Sequence, residues 1–179
     1  MKRTLSLLSC IVMVALLSSC MKGGGANPSS AIADSNKAKT QAFYDQIINA
    51  HSVNNLDNFI ATSFTDHNPD PGMNGVGIEN NKKNFMMWFA SMPDVQIHVD
   101  NMVADSDMVW VMYHMTATMK GDMGPMKATG KSCNVGGIDV IKIKDGKATD
   151  RWGYYDQMAM MSQLGLMPPP PPPAPAGKS

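Results

Sequence analysis

Lysine and arginine gather into no cluster anywhere in this chain. The 15 basic residues are spread against 15 acidic ones, for a formal net charge of zero. Without a basic patch there is no electrostatic footprint for a phosphate backbone, and nucleic acid is not an expected partner. A long apolar run is missing too. The stretch from Leu5 to Leu17 is too short to span a bilayer comfortably. Preceded by Lys2 and Arg3, it has the layout of an export signal instead. Cysteine is scarce: of Cys10, Cys20 and Cys133, the first leaves with such a signal.

The signal ends in "LSSC", where a secretory cleavage site would show small residues alone. This ending resembles the lipobox of bacterial lipoproteins, in which the chain is cut before a cysteine that receives a diacylglycerol. The resemblance implies residues 1–19 as a lipoprotein signal peptide and Cys20 as the lipidation site. It places the mature protein in the bacterial cell envelope, lipid-anchored and facing the periplasm or exterior. Acyl chains contribute roughly 0.8 kcal/mol per buried CH₂, enough for firm attachment. Cys133 is then alone, so no disulfide forms within the mature chain, and a small buried hydrophobe is its expected role. Removal of Lys2 and Arg3 leaves 13 basic against 15 acidic side chains, a net charge of −2.

The two ends of the chain are biased in composition. Residues 20–35, ending in "GGGANPSSAIADS", read as a flexible tether. Residues 167–179 carry six consecutive prolines and read as a disordered, extended tail that would reach about 19 Å over those six. Between them, residues 36–166 suffice for one domain with one core.

Within that domain "NKAKTQAFYDQIINAH" spaces Ala38, Ala42, Phe43, Ile47 and Ala50 as a helix, with Ser35 or Asp34 as its cap. A short second helix is expected at "NLDNFIA". A third is expected over 78–92, with Ile78, Phe85, Met86, Phe89 and Met92 on one face. The period then changes. "VQIHVDNMVA", "MVWVMYHMTATM", "KSCNVGGIDVIKI" and "ATDRWGYYD" read as strands, the last two joined by an Asp-Gly hairpin. Gly136-Gly137 predicts a bulge or bend. A last short helix, "QMAMMSQLG", is capped by Asp156 and stopped at Gly165. Three helices followed by a strand meander predict an α+β fold, the helices packed on one face of a curved antiparallel sheet.

"DHNPDPG", "ATGKSCNVGGID", "KDGKATDRW" and "QLG" stand in the order seen in the SnoaL-like polyketide cyclase (ester cyclase) family, and residues 40–166 resemble it. The resemblance implies the nuclear-transport-factor-2-like cone, open at one end to a small-molecule pocket, with no cofactor and no metal. Family members commonly have an arginine where this chain has Met112 and a histidine where it has Met119. A histidine is frequent at the position of Arg151, and the residue after the tryptophan is the acid credited with proton transfer. Here Trp152 is followed by Gly153, so that mechanism does not carry over as it stands.

Alternation in "GGIDVIKI" puts Asp139 on one face with Ile141 and Ile143. An inward carboxylate there is costly unless paired or in use. Asp139 is therefore either a structural, hydrogen-bonded residue or a catalytic one. His67 and Asn68 precede two prolines in a loop expected at the mouth of the cone. His67 is a candidate base near neutral pH, whereas Asn68 either borders the ligand or caps its own loop. Val109, Tyr113 and Met115 share the more apolar face of their strand. With Phe85, Phe89, Ile141 and Trp152 they complete the candidate ligand-binding set.

Three functions fit these residues. The first is a pocket protein for a small apolar or polycyclic molecule; the second is a cyclase or isomerase using Asp139 and His67. The third is a copper-handling protein, because Met115, Met119, Met123 and Met126 come close together and thioethers select Cu(I). Trp110 and Met112, on the outer face, would suit a homodimer.

Overall fold

The computed structural model describes residues 28–167. The signal, Cys20, the first part of the tether and the polyproline segment lie outside the described residues. Helix α1 (Pro28–Phe43) opens the described chain, so residues 28–35, read above as tether, are helical. Proline suits the first helical turn, because its missing N–H would have had no partner there. The buried stripe of α1 is also not the predicted alanine face. Asn36, Thr40 and Tyr44 lie against the sheet, and the Asn36 amide donates to the Ser106 carbonyl in the "DSD" turn.

The helix then widens into one π turn, Tyr44–Ile48, in which Tyr44, Ile47 and Ile48 are all buried. Asn49 ends it and pairs with the backbone of Ile97 through both its amide nitrogen and its carbonyl, at 2.9 and 2.7 Å. The predicted second helix is a single 3₁₀ turn, Leu56–Asn58. From Ile60 the chain is strand β1 (Ile60–Asp66), which continues into the loop holding His67 and Asn68. Helix α2 (Ile78–Ser91) follows, with Ile78 buried and Met86 exposed rather than core. Asn81 is buried at its start, and its amide closes on the Gly75 and Gly77 carbonyls.

Strands β2 (Gln96–Ala104), β3 (Met108–Thr118), β4 (Ser132–Lys144) and β5 (Lys147–Tyr155) form an antiparallel meander. Strand β1 joins β5 in parallel, so the five-stranded sheet, ordered β1-β5-β4-β3-β2, is mixed rather than wholly antiparallel. The sheet is curved. Its irregularities fall between Ile60 and Thr65 of β1, between Val99 and Asn101 of β2 and between Lys142 and Ile143 of β4. Gly136 and Gly137 keep an unbroken register with β3, so the predicted bulge is absent there. Gly137 serves the fold differently: a Cβ on it would lie 2.5 Å from the Tyr113 ring and hydroxyl. The Asp145-Gly146 tip of the β4–β5 hairpin takes the double left-handed conformation, φ 51° and 71°, that such turns need.

Helix α3 (Gln157–Gln163) is capped as expected, Asp156 Oδ1 accepting from the Ala159 N–H at 2.9 Å. The core lies between the helices and the inner sheet face. Val109, Val111, Tyr113, Met115 and Ala117 of β3 are buried, as the alternation required. Cys133 is among the buried residues, and burial pushes its thiol up. On the outer face Met112, Ile138 and Tyr154 stand in one cross-strand row, exposed, with Trp110 beside them.

Candidate functional site

Register fixes the inner face of β5. Gly153 is opposite Asp139 and Arg151 is opposite Ile141, so Arg151, Gly153 and Tyr155 point the same way as Asp139. Asp139 is 4% exposed. Its Oδ1 accepts from Arg151 Nη2 at 2.7 Å, and its Oδ2 accepts from the Tyr44 hydroxyl at 2.6 Å. The π turn is what brings Tyr44 to this point, 95 residues away in sequence. Arg151 Nη1 donates to Asp66 Oδ2 at 2.8 Å, across the parallel Asp66–Arg151 pair of β1 and β5. One guanidinium thus bridges two carboxylates. A chain of four groups, Tyr44, Asp139, Arg151 and Asp66, crosses the floor of the cone.

Electrostatics tighten this chain. Burial alone pulls Arg151 down, but the Asp139 and Asp66 carboxylates outweigh it and hold the guanidinium well above its ordinary value. Burial pushes the Tyr44 phenol up, and the neighbouring Asp139 charge adds to the effect. Tyr113 is raised by burial and then by Asp139, with Arg151 opposing. Tyr155 is raised by burial and by Asp70, to which its hydroxyl donates at 2.9 Å. The phenolic protons of Tyr44 and Tyr155 are therefore committed to carboxylates. Tyr113 faces a guanidinium, which can only donate, so its own proton remains available to the cavity.

A cavity of about 170 Å³ opens over this floor. Phe43, Phe59, Phe85 and Trp88 form its aromatic wall, and Met73, Met92, Met115, Met123 and Met160 its adaptable one. Asn68, Pro69 and Asp70 stand at the loop end, so "DHNPDPG" does border the cavity. The Asn68 N–H is accepted by Asp66 Oδ1 at 3.1 Å, which closes the loop on itself while the residue still lines the opening.

The predicted site residues separate into two groups. Asp139, Asn68, Phe85, Tyr113, Met115 and Ile141 line the cavity. His67, Trp152, Phe89 and Val109 are not among its lining. His67 and Trp152 stack with ring centroids 4.5 Å apart, and His67 Nε2 meets Asp150 Oδ1 at 2.8 Å. Asp150 and Trp152 alternate with Arg151 and Gly153, so this cluster belongs to the opposite face of β5. His67 and Asp139, paired above as a candidate base and acid, are not brought together. The His67 bond instead lowers the Asp150 carboxyl. Phe89 stacks on Phe85 and Trp88 behind the wall, and Val109 is fully buried in core. Tyr44, Asp66, Asp70, Arg151 and Tyr155 line the cavity without having been among the expected site residues. Counting back from the Asp-Gly hairpin would have turned Arg151 and Tyr155 inward with Asp139. Nothing in the helical pattern marks Tyr44.

A cone-shaped α+β fold with an apolar cavity and a hydrogen-bonded polar floor defines a small-molecule-pocket protein of the nuclear-transport-factor-2-like class. The family model described as SnoaL-like polyketide cyclase matches residues 38–164, and the chain belongs to that family. Among solved structures it is similar to TsrD of Streptomyces laurentii, with 22% identity and a TM-score of 0.65, over 79% of this chain and 100% of that one. A protein from Jannaschia sp. CCS1 described as a SnoaL-like polyketide cyclase gives 18% identity and a TM-score of 0.67, over 82% and 100%. AclR of Streptomyces galilaeus, described as a hydroxylase, gives 20% and 0.65, over 76% and 99%. At such identities the likeness establishes the fold alone. No curated protein matches the chain. Among the described residues no group of three or more histidine, cysteine or acidic side chains is placed to hold a metal, and no helix is long and apolar enough to cross a membrane.

Proposed function

We propose that this chain is a lipid-anchored protein of the bacterial cell envelope whose cone binds a small, largely apolar molecule, without the proton-transfer chemistry of its family. The observation that carries the reading is the state of the cavity floor. Both oxygens of Asp139 are occupied, by Arg151 and by Tyr44. The position where relatives are expected to carry the transferring acid is Gly153, and the Arg151 guanidinium lies where its Cβ would be. A positioned acid or base must reach the proton it moves. Here the cavity meets the ion pairs of Arg151, the Asp70 carboxylate with its bond from Tyr155, and the Tyr113 hydroxyl. Such a floor orients a ligand by one or two polar contacts while the aromatic and methionine walls supply the affinity.

The cavity volume bounds the occupant. An engineered cavity of about 150 Å³ accepts benzene, so about 170 Å³ suits a one- or two-ring compound. Larger polycycles require the methionine wall to move. Attachment through Cys20 would hold this pocket at a membrane surface, and pairing of two copies through Trp110 and Met112 is the accompanying proposal for assembly.

The test uses one- and two-ring aromatic ligands bearing an acidic C–H beside a carbonyl, read by thermal shift and by deuterium incorporation from solvent. Stabilisation of about 2.7 kcal/mol is expected at a hundredfold excess over Kd, with no exchange above the uncatalysed rate. Protein-dependent exchange that Asp139→Asn abolishes would restore the cyclase reading. Absence of any stabilisation would sink the pocket reading itself.

A further inference from the structure

The charge balance of the cavity floor carries a second conclusion, which rests on the pocket reading above and names its ligand class. Three carboxylates, Asp66, Asp70 and Asp139, line the cavity's polar end, and one cation, Arg151, stands among them. Arg151 is spent, with one Nη nitrogen on Asp139 and the other on Asp66. Lys39 also lines the cavity, but it lies near Gly146, at the hairpin end of β5. Gly146 precedes β5 and Tyr155 ends it, so Lys39 and Asp70 stand toward opposite ends of that strand.

Asp70 is the carboxylate left over. Its Oδ1 accepts from the Tyr155 hydroxyl at 2.9 Å, and among the described residues it makes no ion pair. Burial pushes the Tyr113 and Tyr155 phenols up and Asp70 adds to both effects, so its charge reaches two aromatic rings at the cavity. Tyr113, 5% exposed, lines the cavity beside it, its oxygen facing the Arg151 guanidinium and its ring lying within reach of the Asp70 charge. A carboxylate without a cation, beside tyrosine rings, is the arrangement that receives an organic ammonium group: charge-assisted hydrogen bonds to the carboxylate, and ring faces for the cation.

We propose that the cavity is selective for lipophilic amines: the protonated nitrogen pairs with Asp70 beside Tyr113 and Tyr155, and the hydrocarbon part lies against the aromatic and methionine wall. Carboxylates and phosphates of the same skeleton are excluded by the net negative floor.

The experiment compares benzylamine, benzyl alcohol and benzoate, which share one ring and differ in charge at neutral pH. Each is titrated by calorimetry into the full chain in a nonionic detergent, with detergent alone as the blank. Benzylamine should bind at least about tenfold more tightly than benzyl alcohol, which corresponds to about 1.4 kcal/mol, and benzoate should not bind. Asp70→Asn should reduce benzylamine to about the affinity of the alcohol, and continued binding of the alcohol by the variant reports that the cavity is intact. Alcohol binding equal to or tighter than amine binding, or benzoate binding at amine strength, overturns the charge selectivity and leaves the pocket standing. Amine preference that survives Asp70→Asn overturns the placement of the nitrogen. Failure of all three ligands overturns the pocket and this inference together.

Discussion

Replacing Arg151 by methionine would keep much of the apolar stem and remove the charge that joins Asp139 to Asp66. Asp139 has a side-chain exposure of 6% and Asp66 one of 15%, while Arg151 is 27% exposed. Removing one partner of a buried pair costs about 3–5 kcal/mol, because the other charge is left in low dielectric. Tyr44 still donates to Asp139 in the variant, and the guanidinium edge is partly wet, so the low end, about 3 kcal/mol, is expected. For a domain of this size that lowers Tm by roughly 6–12 °C. Asp139→Asn alone should cost less, about 1–2 kcal/mol, since Arg151 retains Asp66 and the new amide can still accept from Tyr44. The double variant, Arg151→Met with Asp139→Asn, has no stranded charge at position 139. It should be destabilised by about 3 kcal/mol, short of the sum of the single effects by about 1–2 kcal/mol. Urea denaturation of all four proteins closes this cycle. If the effects add to within about 0.5 kcal/mol, the two residues are energetically independent, and the account of the floor as one coupled unit is wrong.

Alkali should attack the same floor. Tyr44, Tyr113 and Tyr155 all have raised phenols in the folded chain. The stability they contribute is fully present below about pH 10, the unfolded value, and is lost as pH rises toward their folded values. Phenolate absorbance of these three should therefore appear together with loss of far-ultraviolet structure; ionisation of all three in a still-folded protein would contradict their burial. Gly153→Asp should not create a cyclase. Its Cβ falls on the Arg151 guanidinium, so the change costs about 1–3 kcal/mol through overpacking and yields no solvent exchange into an enolisable ester; a gain of exchange without loss of stability would show that the position is free. Cys20→Ala should leave the protein unprocessed or soluble, and recovery of fully matured protein with the membranes would refute lipid anchoring.

The strands were readable because alternation and turn chemistry are local. The buried set of β3, the Asp-Gly hairpin and the Asp156 cap follow from residues within a few positions of one another. The same alternation turned Asp139 inward. It could not supply the partners of Asp139, because they come from α1, β5 and β1, and pairing across 95 residues is a property of the packed chain. The α1 face was misplaced for a related reason. Asn36 and Thr40 are buried against the sheet although their residue types suggest solvent, because the β2–β3 turn offers a carbonyl to the Asn36 amide. Strand β1 overlaps the expected second helix at Ile60 and Ala61, and its parallel pairing with β5 joins sheet edges that no local pattern relates. That pairing also decided the fate of His67. Asp66 enters the cavity floor, so the next residue, one step along the chain, lies with Asp150 and Trp152 on the other side. Sequence alone thus determined that a curved sheet would carry an inward carboxylate over an apolar cavity. Tertiary structure decided that this carboxylate is bound by Arg151 and Tyr44, because register and the π turn bring together charges that no local pattern relates.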